Sequence, residues 1–408
     1  MEGDSMTLVD APVRTRPFAP PCFAGGRERE LLLDAFESGC WSGFRAGTGG
    51  RDAREICTMT TAAARALGAA EVPFLGGRYG RLLEALFAER TGCAYAIACN
   101  SATSGLVMAV GAIGIQPGDE ILVPCMSFHA TATAVLAFGG VPVFVEVDPA
   151  TLCIDPADAE EKITARTRAI LPVHLGGVPA AIDVILALAR QYGLKVIEDC
   201  AQAMGARCGG REVGSIGDAG VFSLTETKSI TCGEGGVVVT NDPAIAMKCR
   251  LIRNHGEGAA DECWSDEELR NVVGMNFRLT ELQAAVAVAQ FEQLDQRNRI
   301  RNENARYLID RLPFLPQRID PGSEPAYYVL KFRHRDRDEL VRRLAAEGIP
   351  AVPGYPRLLH EKPLFAAYGA CPRSEAVNRE LFWFPFIHPP NTLDDMDDVV
   401  RAVEKVLR

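Results

Sequence analysis

Short apolar runs alternate with helical patterns through the middle of the chain, and this alternation restricts the fold more than any other feature. Tyr95–Cys99, Ile121–Val123, Val141–Val145, Ala169–Val173, Lys195–Ile197, Gly220–Phe222 and Gly236–Thr240 are strand-length and almost free of charge. Helical patterns such as Ile182 to Tyr192 lie between several of them. Strands buried on both faces and separated by helix-length segments predict an α/β fold with a largely parallel, covered sheet. At 408 residues and 48% hydrophobic, the chain is long enough for two domains with substantial cores.

The remainder reads as flanking structure. An apolar helical period from Asn276 through Leu282, Val286, Val288, Phe291 and Leu294 becomes strongly charged around Arg297 to Arg306. It predicts a helix joining a large domain to a small one. Beyond it, Tyr327–Phe332 reads as a strand, Arg337–Glu347 as a helix and Gly348–Val352 as extended chain, an α+β pattern. The expected division is an N-terminal segment (1–85), a large domain (86–296) and a small C-terminal domain (297–408). No internal repeat or low-complexity tract is evident.

Three of the strand ends carry chemistry. Lysine is scarce, at seven residues, yet Lys228 stands in Ser223-Leu224-Thr225-Glu226-Thr227-Lys228-Ser229, between an apolar strand and the turn Gly233-Glu234-Gly235-Gly236. A lysine whose ammonium form is disfavoured becomes a nucleophilic amine, which suits a Schiff base with an aldehyde cofactor such as pyridoxal phosphate. Alone, it also reads as a surface lysine paired with Glu226. The strand Lys195–Ile197 runs into Glu198-Asp199, and a carboxylate beyond a strand end can keep a pyridine nitrogen protonated. The same pair fits an ordinary acidic helix start. Finally, Asn100-Ser101-Ala102-Thr103-Ser104-Gly105 follows a buried strand and opens a helix, leaving backbone N–H groups free for a phosphate or merely capping the helix.

Taken in order, the blocks resemble one family. Asn100-Ser101-Ala102-Thr103, Pro124 to Thr131, Pro172-Val173-His174, Glu198 to Gln202, Phe222 to Lys228, Gly233 to Gly236, Arg253-Asn254-His255-Gly256 and Gly274 to Gln283 are similar to the DegT/DnrJ/EryC1/StrS aminotransferases. The resemblance runs from about residue 80 to 300 and more loosely to the C-terminus. It implies fold type I of the pyridoxal phosphate enzymes, a large domain with a mostly parallel mixed sheet covered by helices and a smaller α+β C-terminal domain, with Lys228 linked to the cofactor and Asp199 paired with its pyridinium nitrogen. It further implies that Gln202 contacts the cofactor hydroxyl face and that Phe128 stacks on the ring. Ser223 and the amides around Ser101, Ala102 and Thr103 would hold the phosphate. Asn276 would reach the phosphate of a neighbouring subunit, making the site shared in a homodimer. The implied reaction moves an amino group from glutamate or glutamine to a keto-sugar or keto-cyclitol. Related dehydratases carry histidine at the lysine position, so the intact Lys228 favours transamination.

Two departures stand out. Ala102 replaces a glycine common in relatives, which stiffens the turn but leaves its amides. About thirty unfamiliar residues (45–73) separate Phe36–Gly43 from Phe74–Gly80, an insertion able to reshape the acceptor pocket. His174, His255, Tyr355, His360 and His388 are candidates to meet a polyhydroxy substrate, although each also reads as a structural side chain. The segment Asn378–Pro385 is similar to that of scyllo-inosose aminotransferases and aminohydroxybenzoate synthases, which favours a free cyclic substrate over a nucleotide-linked one, although an apolar run of this kind also reads as plain core.

Composition excludes several classes. With a net charge of −10 and no dense basic run, a nucleic-acid surface is not expected. Thirteen cysteines, odd in number and without paired spacing, suggest a reducing compartment and no metal site. No signal-like or membrane-length segment is seen, so a cytoplasmic protein is expected. A different pyridoxal phosphate reaction, such as elimination or dehydration, would use the same Lys228 and Asp199. A regulatory cofactor-binding protein is the non-enzymatic rival; a plain dinucleotide-binding fold lacks its glycine fingerprint.

Overall fold

The computed structural model describes residues 11–21, 25–44, 51–67, 72–256 and 264–408. Strands are β1 (Tyr95–Cys99), β2 (Glu120–Pro124), β3 (Val141–Val145), β4 (Thr167–Ile170), β5 (Lys195–Asp199), β6 (Arg207–Cys208) and β7 (Arg211–Glu212). They continue as β8 (Ala219–Ser223), β9 (Gly236–Thr240), β10 (Leu315–Pro316), β11 (Ser323–Glu324), β12 (Leu330–Arg333), β13 (Val352–Pro353) and β14 (Leu381–Phe384). The first five helices are α1 (Gly26–Glu37), α2 (Ala53–Thr58), α3 (Thr61–Ala66), α4 (Arg78–Thr91) and α5 (Ala102–Ala112).

A seven-stranded sheet in the order β1-β9-β8-β5-β4-β2-β3 organises the larger part. The strand runs expected from sequence form it, and it is the mostly parallel, mixed sheet that the family resemblance implies, with β9 antiparallel to both β1 and β8. Two antiparallel steps restore direction. The carboxyl ends of β1, β8 and β5 therefore lie along one edge, and the parallel β5–β8 pairing fixes Asp199 opposite Val221. Side chains alternate between two cores: Ile97 and Val238 pack on one face, Ala96, Ala98, Val237 and Val239 on the other. Burial on both faces explains why these strands lack the polar alternation of a one-sided sheet.

The four-stranded antiparallel sheet β10-β12-β14-β13 carries the helices Arg337–Ala346 and Leu393–Leu407 and its own core around Phe332, Phe382 and Phe384. Residues 11–21 join this part: Arg14 pairs with Asp395 and Asp398, and Phe18 stacks on Phe386 at 3.7 Å.

Two expected elements differ. The helix anticipated from Asn276 starts at Glu281, because Thr280 caps it by accepting from Gln283 N, while Asn276 bridges to Asn254 in extended conformation. It also stops at Phe291, and a second helix runs Leu294–Ile309. Tyr327–Phe332 is strand only from Leu330; Ala326 and Tyr328 instead donate to the carbonyls of Gly177 and Gly176. That docking ties the small sheet to the large one beside β5.

Of the expected insertion, 45–50 and 68–71 lie outside the described residues. The rest forms α2 and α3 against the helix Pro243–Arg253. The fully buried Arg250 donates to the carbonyls of Ile56, Cys57 and Met59, and Thr61 takes up the Ala96 N–H on the open edge of β1. The described part of the insertion thus caps a sheet edge.

Candidate active site

A cavity of ≈ 550 Å³ opens at the shared carboxyl edge of β1, β5 and β8, where the docked segment around Tyr328 closes its side. Asp199 ends β5, Ser223 ends β8, and Ser101 starts the turn from β1 into α5. Lys228 is placed by a loop closed at its base, where Leu224 N donates to Gly235 O and Cys232 N to Leu224 O. Its Nζ lies 4.3 Å from the Tyr328 ring centroid, and the Tyr328 hydroxyl meets Thr227 Oγ1 at 3.0 Å.

Asp199 is buried. Its Oδ1 accepts from Ala201 N at 3.1 Å and its Oδ2 from Thr131 Oγ1 at 2.8 Å. Burial raises its pKa; the Ala201 amide, Thr131 and the charge of Lys228 oppose that rise only in part. Such a carboxylate, facing a cavity with unspent acceptor capacity, suits a cationic ring N–H.

The start of α5 forms an anion cradle. Ser101 accepts from Ser104 N, while Ala102 and Thr103, at the first helical positions, line the cavity with the positive end of the helix. Gly236 permits this approach, since a Cβ there would lie 2.6 Å from Ala102 N. On the opposite wall Phe128 is 67% exposed, an aromatic face available to a planar ring. Gln202 has its Oε1 fixed by Gly176 N at 2.9 Å, which leaves its NH₂ to donate. Tyr355 lines the same wall, its pKa raised by burial.

Ser101, Ala102, Thr103, Phe128, Asp199, Gln202, Ser223, Lys228 and Tyr355 thus share one cavity. The four candidate histidines do not join them. His174 is fully buried behind Asp199: its Nδ1 accepts from Ala180 N at 3.0 Å, so Nε2 carries the proton and donates to Glu198 Oε2 at 3.0 Å. His360 turns into the core and meets Glu375 Oε1 at 3.0 Å. His388 is buried just beyond β14 of the four-stranded sheet, where desolvation holds its pKa down at about 4 against the Pro389 carbonyl. His255 is exposed and 3.1 Å from Arg278 Nη2. Asn276 lies outside the cavity of its own chain, its Oδ1 accepting from Arg278 Nε at 3.1 Å.

Other lining residues had no assigned role in the sequence reading: Ser127, Thr225, Thr227, Glu234 and Tyr328. Ser127 lies in the bend before the helix Ala130–Leu136 and Thr131 in its first turn, and the intervening loop brings the two hydroxyls to 2.7 Å. Tyr328 has no local sequence signal.

The donor set fits pyridoxal phosphate: an amine for the aldehyde, a buried carboxylate for the ring nitrogen, an aromatic face, and helix-start amides for the phosphate. Comparison with known proteins agrees. Residues 59–404 match the profile of the DegT/DnrJ/EryC1/StrS aminotransferase family. The UDP-N-acetyl-3-dehydro-alpha-D-glucosamine 3-aminotransferase of Acidithiobacillus ferrooxidans is 40% identical, over 77% of this chain and 85% of the relative. The L-glutamine:scyllo-inosose aminotransferase of Streptomyces griseus is 37% identical, over 81% of this chain and 86% of the relative. The crystal structure of S. venezuelae DesV superposes with a TM-score of 0.78 at 32% identity, covering 93% of this chain and 94% of that one. Fold, cavity and sequence agree: the chain belongs to the DegT/DnrJ/EryC1/StrS family of pyridoxal-phosphate-dependent aminotransferases.

Proposed function

We propose that this aminotransferase moves an amino group from glutamate or glutamine to the ketone of a sugar or cyclitol. The observation that carries the reading is the convergence of Lys228, Asp199 and the α5 start on one cavity. When bound there, pyridoxal phosphate supplies an electron sink for the pair left when the donor carbon loses its proton. Asp199 keeps the ring nitrogen protonated and Phe128 holds the ring plane. Lys228 would hold the aldehyde end of the cofactor and, as a free amine, would take that carbon-bound proton and return a proton on the acceptor side. Ser101, Ala102, Thr103 and Ser223 anchor the phosphate end, and Gln202 orients the hydroxyl edge.

Hydroxyl groups of Thr225, Thr227, Tyr328 and Tyr355 suit a polyhydroxy acceptor. Residues 86–296 make up the cofactor-binding domain in this reading, and 297–408 the smaller domain that covers the cavity with Tyr328 and Tyr355. A homodimer completes the site, with Asn276 of one protomer reaching the phosphate held by its partner. The cysteines without paired spacing suit a reducing compartment and support a cytoplasmic location. No helix of the described residues is long and apolar enough to cross a membrane.

Visible spectroscopy with pyridoxal phosphate tests the reading. The cofactor-loaded protein should show an absorption band that bleaches with glutamate or glutamine, and a keto acceptor such as scyllo-inosose or a UDP-linked 3-keto sugar should restore it with formation of the amine. Lys228→Ala should form no such band. A mixture of Lys228→Ala and Asn276→Ala proteins should recover part of the activity each lacks, if the site is shared. A band inert to both donors would sink the proposal.

A further inference from the structure

Lys331 has no role in the chemistry above, yet its position is unusual for a lysine. It lies on β12, 2% exposed, on the sheet face turned towards the large sheet, and no carboxylate among the described residues is paired with it. Its Nζ is 5.4 Å from the Trp383 ring centroid, and Trp383 packs on Tyr355 at 5.6 Å.

Gly176 connects it to the cavity. A Cβ on Gly176 would sit 2.9 Å from Lys331 Nζ and 3.0 Å from Gln317 Oε1, a buried oxygen with no donor. The Gly176 N–H goes to Gln202 Oε1 and its carbonyl accepts from Tyr328 N. One glycine therefore separates the amine from two residues that line the cavity. A side chain at 176 would displace the amine.

Charge accounting shows why an unpaired amine would be kept there. The ring N–H of the bound cofactor would offset Asp199, which leaves the phosphate and the hydroxyl oxygen on the ring as negative charge on this side of the cavity. Burial, with Lys228 adding to it, draws Lys331 down to about 7, so a nearby anion can settle its protonation. The other titratable groups facing this space are Cys153, whose thiol burial pushes up to about 12, and Tyr328, Tyr355 and Asp199. Arg301, which donates to the Tyr328 carbonyl, stays charged throughout the neutral range.

We propose that Lys331 is a positioning residue of the amino-transfer site: its ammonium, set behind Gly176, is the counter-charge on the Gln202 side of the bound cofactor and favours the unprotonated Lys228 nitrogen. The inference rests on the proposed function. It goes beyond it by assigning charge control to the small sheet.

Absorbance titration of the loaded protein against pH tests the assignment, using wild type, Lys331→Met and Lys331→Arg, with Lys331→Gln in place of the methionine variant should that one fail to fold. Removing a cation should raise the midpoint at which the visible band protonates by about one pH unit and weaken cofactor binding roughly tenfold. The arginine variant should titrate close to wild type. A purely structural role would change the melting temperature and leave the midpoint in place. Coincident midpoints in all the proteins overturn the role of Lys331 alone; no visible band in wild type overturns the proposed function and this inference together.

Discussion

Thr131 Oγ1 donates to Asp199 Oδ2 at 2.8 Å, and Ser127 Oγ lies 2.7 Å from Thr131 Oγ1. An ionised carboxylate only accepts, so Thr131 spends its one hydroxyl hydrogen on Asp199 and must itself accept from Ser127. The two hydroxyls form a directed chain from the Phe128 loop to the carboxylate. Asp199 is thereby oriented from one side, with its own backbone turn holding the other oxygen through Ala201 N.

Thr131→Val keeps the shape and removes the donor. A hydrogen bond to a charged group is worth about 1.5–3 kcal/mol, so Asp199 should become harder to ionise. We expect the bleaching rate with donor to fall about tenfold near neutral pH and to recover in part at higher pH. Stopped-flow absorbance across pH checks this; an unchanged profile would remove Thr131 from the site.

Asp199→Asn should separate stability from function. The folded pKa of Asp199 is raised above 3.8, so the cofactor-free protein loses stability as pH rises from 3.8 through the folded value. The variant lacks that loss. It should melt higher than wild type at neutral pH without cofactor, while the donor half-reaction slows by on the order of 10²-fold or more. Calorimetry and single-turnover absorbance give the two readings.

His174→Ala tests the buried brace behind the site. Burial would raise the Glu198 pKa, but His174 and the amides of Gly214 and Gly217 outweigh it and hold the carboxylate below 4.5. Its contribution to stability is therefore complete above pH 4.5 and is lost as pH falls through the lower folded value. Removing His174 takes a hydrogen bond from the buried Glu198 carboxylate, which should cost about 2–3 kcal/mol and move the acid-induced loss to higher pH. Urea unfolding between acid and neutral pH would show both effects; equal stability at neutral pH would contradict the brace.

Gly236→Ala probes the anion cradle. The added methyl would press on the Ala102 amide and the Ser101 carbonyl at 2.6 Å, and overpacking of this kind costs about 1–3 kcal/mol. Pyridoxal phosphate should bind about tenfold more weakly, measured by fluorescence titration. Unaltered binding would move the phosphate away from α5.

The strand end at Asp199, the helix start at Ser101–Thr103 and the loop that holds Lys228 can be placed from sequence because each is set by its immediate neighbours, whereas their convergence on one cavity is implied only by the ordered blocks of the family resemblance. Local backbone pattern determines such positions before any long-range contact forms. The reversed direction of β9 and the break before Leu294 were not legible, since both are settled by what packs across the sheet. The histidines show the same division. His174 was rightly placed after a strand, but only the assembled structure turns its ring away from the cavity to Glu198. His360 and His388 likewise spend a ring nitrogen on partners outside the cavity, Glu375 and the Pro389 carbonyl, and Tyr328 reaches Lys228 although a hundred residues separate them in the chain. Sequence determined which backbone ends present chemistry; the tertiary structure decided which side chains meet there, because through-space neighbours and burial select a side chain's partner, and neither is encoded by adjacency along the chain.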